Sequence, residues 1–314
     1  MPYHHITAMR EEAVAQLNCE AGKTVVDGTI GGCGHARRIC EQIQPGGCLI
    51  GVDQDRDAIA NARKVLAPYK DRIGLHLVHG NFSRLGGILS QLGIAAVDGI
   101  LLDLGISLHH LMDSGRGFSF QREEPLDMRM NVEAAQTAAD LVNRSSASSL
   151  EKIFREYGEE RYARRIARAV VAQRREAPIR SSRELAELVR RAMPRGKAAG
   201  QAIHPATRVF MALRIAVNRE LEALQRFLET ALDLLRPQGR LCILSFHSLE
   251  DRIVKQWINA QAKGCTCPPD FPQCTCGRLP TLRRLTRKPL RPGAAEVERN
   301  PMARSTRLRA VEKR

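Results

Sequence analysis

A mostly parallel α/β sheet with crossover helices, interrupted by an all-helical insertion, is the fold class this sequence predicts, and three observations carry it. Between Lys23 and Gly105 short apolar runs alternate with helix-length amphipathic segments, the pattern of strands joined by crossover helices. From Ala134 to Met193 the apolar spacing is helical throughout, without a strand. Strand character then returns at Leu241-Cys242-Ile243-Leu244-Ser245-Phe246, so the sheet resumes after the insertion. The expected division is residues 1–106 with 209–314 for a discontinuous sheet domain, and 107–208 for a loop cover plus helical insertion.

Taken in order, strands are expected over 24–27, 48–53, 75–79 and 99–104, with helices over 35–43, 57–66 and 83–92. The first strand runs through Val25-Val26-Asp27-Gly28-Thr29-Ile30-Gly31-Gly32-Cys33-Gly34-His35 directly into a helix. Glycines let a backbone turn sharply and approach a ligand, and a helix start offers unpaired N–H groups. A nicotinamide dinucleotide would call for G-x-G-x-x-G, but after Gly32 and Gly34 the sixth position is Arg37. The loop therefore reads as a nucleotide-like cofactor site with the wrong spacing for NAD.

Ligands of parallel sheets bind at the carboxyl ends of the strands, where Asp27, Asp53, Asn81 and Asp103 fall. Asp53 is placed to accept hydrogen bonds from ribose hydroxyls. Asp57 is expected to cap the next helix and Asp55 to be solvated. Phe82, just past the third strand, either flanks an adenine ring or fills the core. Asp103 follows the apolar run Ile100-Leu101-Leu102, a costly place for a carboxylate unless it faces a polar cleft or ligand.

Residues 107–132 carry no sustained period and read as an ordered loop or cover. After the helical insertion, one long amphipathic helix is expected from Val209 through Leu235, stopped by Pro237 and Gly239. A last helix is expected over 249–262, and His247 sits at the end of the strand before it. His204 either braces the insertion or serves the substrate.

With 314 residues the chain can bury a full core. No apolar run approaches a membrane span, and nine cysteines scattered through core segments suit a reducing cytoplasm. The net charge of +15 is uneven: residues 1–151 carry −4, residues 152–197 carry +8 and residues 278–314 carry +9. Localised basicity favours a polyanion partner. Arg161, Arg165, Arg168 and Arg175 share one helix face, and Arg278, Arg283, Arg284, Arg287, Lys288, Arg304, Arg307 and Arg309 form a second basic segment.

Several blocks occur in one order. They are the glycine loop 27–35, Leu101-Leu102-Asp103-Leu104-Gly105-Ile106-Ser107, Arg116-Gly117-Phe118-Ser119-Phe120, Pro125-Leu126-Asp127-Met128-Arg129-Met130, His204-Pro205-Ala206-Thr207-Arg208, Ser245-Phe246-His247-Ser248-Leu249-Glu250-Asp251-Arg252, and Asn300-Pro301 through Arg304-Ser305. In these the chain resembles the bacterial 16S ribosomal RNA small-subunit methyltransferase H family, and the match covers nearly its whole length. The resemblance implies a class I, Rossmann-like S-adenosylmethionine methyltransferase that methylates cytidine N4 in the decoding centre, with 16S rRNA or the small ribosomal subunit as partner. It implies cofactor contacts at Cys33, Gly34, His35, Asp53, Phe82, Asp103 and His110. The chain departs from the family in two places: Cys33 stands where glycine is usual, and Ser107-Leu108-His109-His110 replaces Ser-Ser-Pro-Gln.

Cytosine N4 is a poor nucleophile, because its lone pair is delocalised into the ring. Acceptors that hold its hydrogens in line with a sulfonium methyl would assist attack through positioning and electrostatics. Asp103, with Ser107 or His247, is the expected orienting group, and no covalent nucleophile is needed. Two other readings stay open: methylation of another amine, in DNA or a ribosomal protein, and a non-catalytic RNA-binding ribosome-assembly factor.

Cys265-x-Cys267 and Cys274-x-Cys276 form one thiol constellation. Four thiolates would suit tetrahedral zinc, but C-x-C is tighter than the usual spacing. No metal is assigned from sequence, and loop packing or thiol chemistry stand beside zinc.

Overall fold

The computed structural model describes residues 7–194, 204–265, 267, 271–273 and 275–314. Its elements are α1 (Arg10–Leu17), β1 (Thr24–Asp27), α2 (Gly34–Ile43), β2 (Cys48–Asp53), α3 (Arg56–Val65), β3 (Gly74–His79), α4 (Leu85–Gln91) and β4 (Val97–Asp103), then α5 (Leu108–Met112), α6 (Ala138–Arg144), α7 (Ala147–Glu156), α8 (Ala163–Glu176), α9 (Ser182–Ala192) and α10 (Ala206–Asn218). The chain continues through α11 (Glu220–Thr230), β5 (Leu235–Ser245), α12 (Ser248–Lys263), β6 (Leu282–Arg284), α13 (Ala294–Arg299) and β7 (Arg307–Lys313). Among the described residues, no helix is long and apolar enough to cross a membrane.

The chain divides into two compact units, one of residues 106–220 and one of residues up to 105 together with 221–314. In the second, seven strands form one sheet in the order β3-β2-β1-β4-β5-β7-β6. The first five are parallel, with Val26 opposite both Ile50 and Ile100, while β7 runs antiparallel to β5 and β6. This is the class I methyltransferase arrangement expected from the sequence. Strand order reverses between β1 and β4, the switch point outside which ligands of open α/β sheets bind.

Period-two alternation decides the layers. Val25, Leu49, Leu101 and Cys242 face a core with α1, α2 and α3, whereas Val26, Ile50, Ile100 and Ile243 face one with α4, α11 and α12. On α2 the residues His35, Ala36, Ile39, Cys40 and Ile43 are buried, one stripe of an amphipathic helix.

The other unit is helical. Leu150 and Phe154 of α7, Ile166 and Val170 of α8, Leu185 and Val189 of α9, and Val209 and Leu213 of α10 share its core with Phe118, Leu126, Met128 and Met130. The Arg116 guanidinium donates to the carbonyls of Arg129 (3.0 Å) and Met130 (2.9 Å), and the Asn218 side chain takes the Met130 N–H (2.7 Å) and donates to Met128 O (2.8 Å). Two blocks of the sequence are thereby stitched into one ordered loop.

Three expectations are corrected. The single long helix from Val209 is two, because Arg219 takes a left-handed conformation (φ 50°) between α10 and α11. Pro237 and Gly239 lie inside β5, where its register against β4 shifts between Val97 and Gly99 and the ladder can spare a donor. The compact helical unit runs on to Glu220, so α10 lies within it. Finally, Asp55, not Asp57, caps α3, accepting the Asp57 N–H (3.1 Å) while itself buried.

Candidate active site at the carboxyl ends of the strands

Short hydrogen bonds lace the glycine loop over the sheet. Gly28 N–H donates to Leu101 O (2.9 Å) and Ile30 N–H to Val52 O (3.0 Å), tying the end of β1 to both neighbours. Gly31 N–H donates to Asp53 Oδ2 (2.9 Å), and Asp55 N–H to Asp53 Oδ1 (2.9 Å). The Asp53 carboxylate is thus fixed at the end of β2, and a carboxylate with about four acceptor sites can take ribose hydroxyls as well.

Cys33 caps α2 with φ 67°, a left-handed geometry that costs a side-chain-bearing residue roughly 1–2 kcal/mol. Glycine would avoid that cost. The Cys33 thiol is fully buried and pushed up to about 12 by burial, with the Asp27 and Asp53 charges adding to it. It is an inert packing group. At Gly34 a Cβ would lie 1.7 Å from Thr7 Oγ1, so only glycine lets the segment before α1 cross the start of α2.

The two most telling side chains end the strands that flank the switch point. Asp27 is buried, accepts the Thr29 N–H (3.2 Å) through Oδ1, and is pushed up to about 7 by burial. Burial, followed by the charges of Asp27 and Glu250, drives the Asp103 carboxyl well above the ordinary range. Among the described residues, Asp27 Oδ2 and Asp103 Oδ1 are buried without a hydrogen-bond partner. Unsatisfied carboxylate oxygens are expensive, and here two of them end adjacent strands. The arrangement suits a ligand bringing a positive charge or N–H donors.

His35 is positioned to serve the same place. Its Nε2 lies 3.2 Å from Ala8 O and its Nδ1 3.6 Å from Asp103 Oδ2. If Nε2–H donates to the carbonyl, Nδ1 faces Asp103 as the second ring nitrogen. Thr29 Oγ1 accepts the Asp103 N–H (2.6 Å), a contact the sequence reading did not anticipate. Phe82 meets Phe227 edge to face, centroids 5.9 Å apart, so one edge of its ring belongs to the core. Half-buried, it opens the turn after β3 that Asn81 caps.

His247 stands between β5 and α12, its Nε2 3.1 Å from Glu250 Oε1. Glu250 also accepts the Phe246 N–H (2.9 Å) and is buried. Its charge raises the Asp103 carboxyl, making it a further acidic group at the site. Glu250 lies in a block singled out from sequence, but at the third position of a helix it reads as a capping residue.

Ser107 and His110 belong to the helical unit, residues 106–220. They cap α5 reciprocally: His110 N–H donates to Ser107 Oγ (3.3 Å), and Ser107 N–H to His110 Nδ1 (3.3 Å). His110 also packs on Phe118, with centroids 5.1 Å apart. His204 stacks on Phe120 at 4.6 Å.

A model of the MraW methylase family matches residues 2–314. The chain belongs to the MraW methylase family. Similar relatives include ribosomal RNA small subunit methyltransferase H of Desulfosudis oleivorans, 55% identical over 313 residues and covering 100% of both chains. The proteins of the same name from Syntrophotalea carbinolica (52% identical, 98% of both chains) and Geobacter sulfurreducens (51%, 100% of both) are also similar. The chain therefore spans essentially the whole of these methylase-family relatives.

Proposed function

We propose that this protein transfers a methyl group from S-adenosylmethionine to the N4 of a cytidine in 16S ribosomal RNA, in the decoding centre of the small subunit. The observation that carries the reading is the pair of buried, partnerless carboxylate oxygens of Asp27 and Asp103 at the switch point, within a full-length methylase-family chain. S-adenosylmethionine brings an ammonium group and a sulfonium centre, the kind of charge those oxygens lack. It supplies the electrophilic methyl.

In this reading Asp53 holds the ribose hydroxyls, Phe82 lies along the adenine, and the backbone of Cys33, Gly34 and His35 closes over the nucleoside. Asp103 sits nearer the methionine end and, aligned by His35, accepts from the target amine and orients its lone pair. Ser107 and His247 join it at the substrate, and His110 contributes to the cofactor side. Ser107 and His110 brace each other, so each acts with the other's geometry. No cysteine participates. A protein that acts on ribosomal RNA would work in the bacterial cytoplasm.

A substrate panel tests the reading. With methyl-labelled S-adenosylmethionine, label is expected in undermethylated small subunits or their 16S rRNA, and not in DNA or ribosomal protein. RNA binding with no methyl transfer and no thermal stabilisation by the cofactor would support an assembly factor instead.

A further inference from the structure

The loop between α12 and β6 has a construction that the methylase reading leaves unused. Its mouth is closed by backbone: Thr281 N–H donates to Gln261 O (3.1 Å), and a Cβ at Gly264 would lie 2.5 Å from Leu279 C and Pro280 N. Above that mouth the apolar residues turn outward, Phe271 being 53% and Leu279 80% exposed. None of the three buried apolar clusters includes a described residue from 264–279. What the loop gathers inward is sulfur: the Sγ atoms of Cys265, Cys267 and Cys276 lie within 4.8 Å of one another, each half-buried.

Thiolates around one tetrahedral zinc, at Zn–S of about 2.3 Å, stand roughly 3.8 Å apart, so small side-chain rotations bring these three into register. The backbone amides of Thr275 and Cys276 hydrogen-bond to Cys267 Sγ, the orientation that amides take toward ligating sulfur. Cys265 and Cys267 come from one arm of the loop and Cys276 from the other, so an ion there would staple the two arms together. A loop whose described residues join no apolar core is where such a staple adds most.

We propose that Cys265, Cys267 and Cys276 bind a single zinc ion that fixes this loop. Cys274 lies outside the described residues, and the three described thiols suffice for the claim. On binding, the zinc ion takes three sulfur lone pairs, the thiols release their protons to solvent, and a further ligand completes the tetrahedron. The ion is structural, and it holds the base of β6, whose Arg283 and Arg284 are exposed.

The full-length protein, purified under reducing conditions, tests this by metal content. One tightly held zinc per chain is expected, along with protection of the loop thiols from a thiol reagent until a chelator is added. Cobalt-loaded protein should show sulfur-to-cobalt charge-transfer absorption. The variant C265S/C267S/C276S should lose all three signals. Should that variant misfold, the cobalt spectrum of the wild-type protein decides alone. Absence of stoichiometric zinc in the wild-type protein, cobalt bound without thiolate charge transfer, zinc retained by a folded variant, or a disulfide among these cysteines as the stable reduced-buffer form would each overturn the proposal.

Discussion

Asp27 and Asp103 keep their carboxyls where the protonated form is favoured, and this has a sign that can be measured. In the unfolded chain Asp27 releases its proton near 3.8, and in the folded chain near 7. Between those values the folded state holds a proton that the unfolded state has lost, so stability falls as pH rises from about 4 to about 7 and is level above. Asp27→Asn removes the penalty. Denaturant unfolding of the cofactor-free protein should show a smaller loss between pH 4 and pH 8 in the variant, by at most about 4 kcal/mol; equal losses would contradict the assignment. Asp251 shows the opposite sign: burial works against its ionisation, but Arg309 (2.8 Å) and Arg307 (2.8 Å) outweigh it and hold its carboxyl below the ordinary range. Asp251→Ala leaves two arginines without their shared partner and should cost about 3 kcal/mol at neutral pH in the same measurement. Asp103→Asn keeps the shape of the site and should retain the fold while methyl transfer drops at least about a hundredfold.

At the scale of elements, the first crossovers were legible because β1, β2 and β4 each close an apolar stretch with an aspartate, and the helices between the strands carry one apolar stripe each. The strand ends were therefore readable down to Asp27, Asp53 and Asp103. What escaped was governed by tertiary pairing. β7 reads Arg-Leu-Arg-Ala-Val-Glu-Lys, which looks like a basic tail, yet Arg309 is paired with Asp251, and Arg240 and Arg283 with Glu312. Part of the apparent basic surface is thus taken up in ion pairs. The break at Arg219 carried no signal, since arginine is not a turn residue, and adjacent Asp55 and Asp57 are equivalent as caps until the backbone chooses. The ordered loop of the helical unit makes a sharp prediction: Gly117 has φ 70°, and a Cβ there would lie 2.3 Å from Pro125 O. Gly117→Ala should destabilise that unit by at least about 2 kcal/mol, visible as accelerated hydrogen exchange across residues 116–130.

For the whole molecule the question is which part of its net charge of +15 engages a polyanion. Arg161, Arg165, Arg168 and Arg175 are exposed around and along α8, and Arg283, Arg284, Arg287 and Lys288 are exposed near β6. Converting the first four to glutamine should lower affinity for 16S rRNA and reduce the slope of log affinity against log salt by about 3, at roughly 0.7–0.9 per phosphate contact. An unchanged slope would make that face a solvated surface only. The central claim concerns reaction, polymer and atom together. The measurement that tests it most directly is mass mapping of nucleosides from small-subunit rRNA after incubation with the protein and methyl-labelled S-adenosylmethionine. Label confined to an N4-methylated cytidine of the decoding centre is the result this account predicts. Label on another base or atom, or bound but unmethylated RNA, would contradict it.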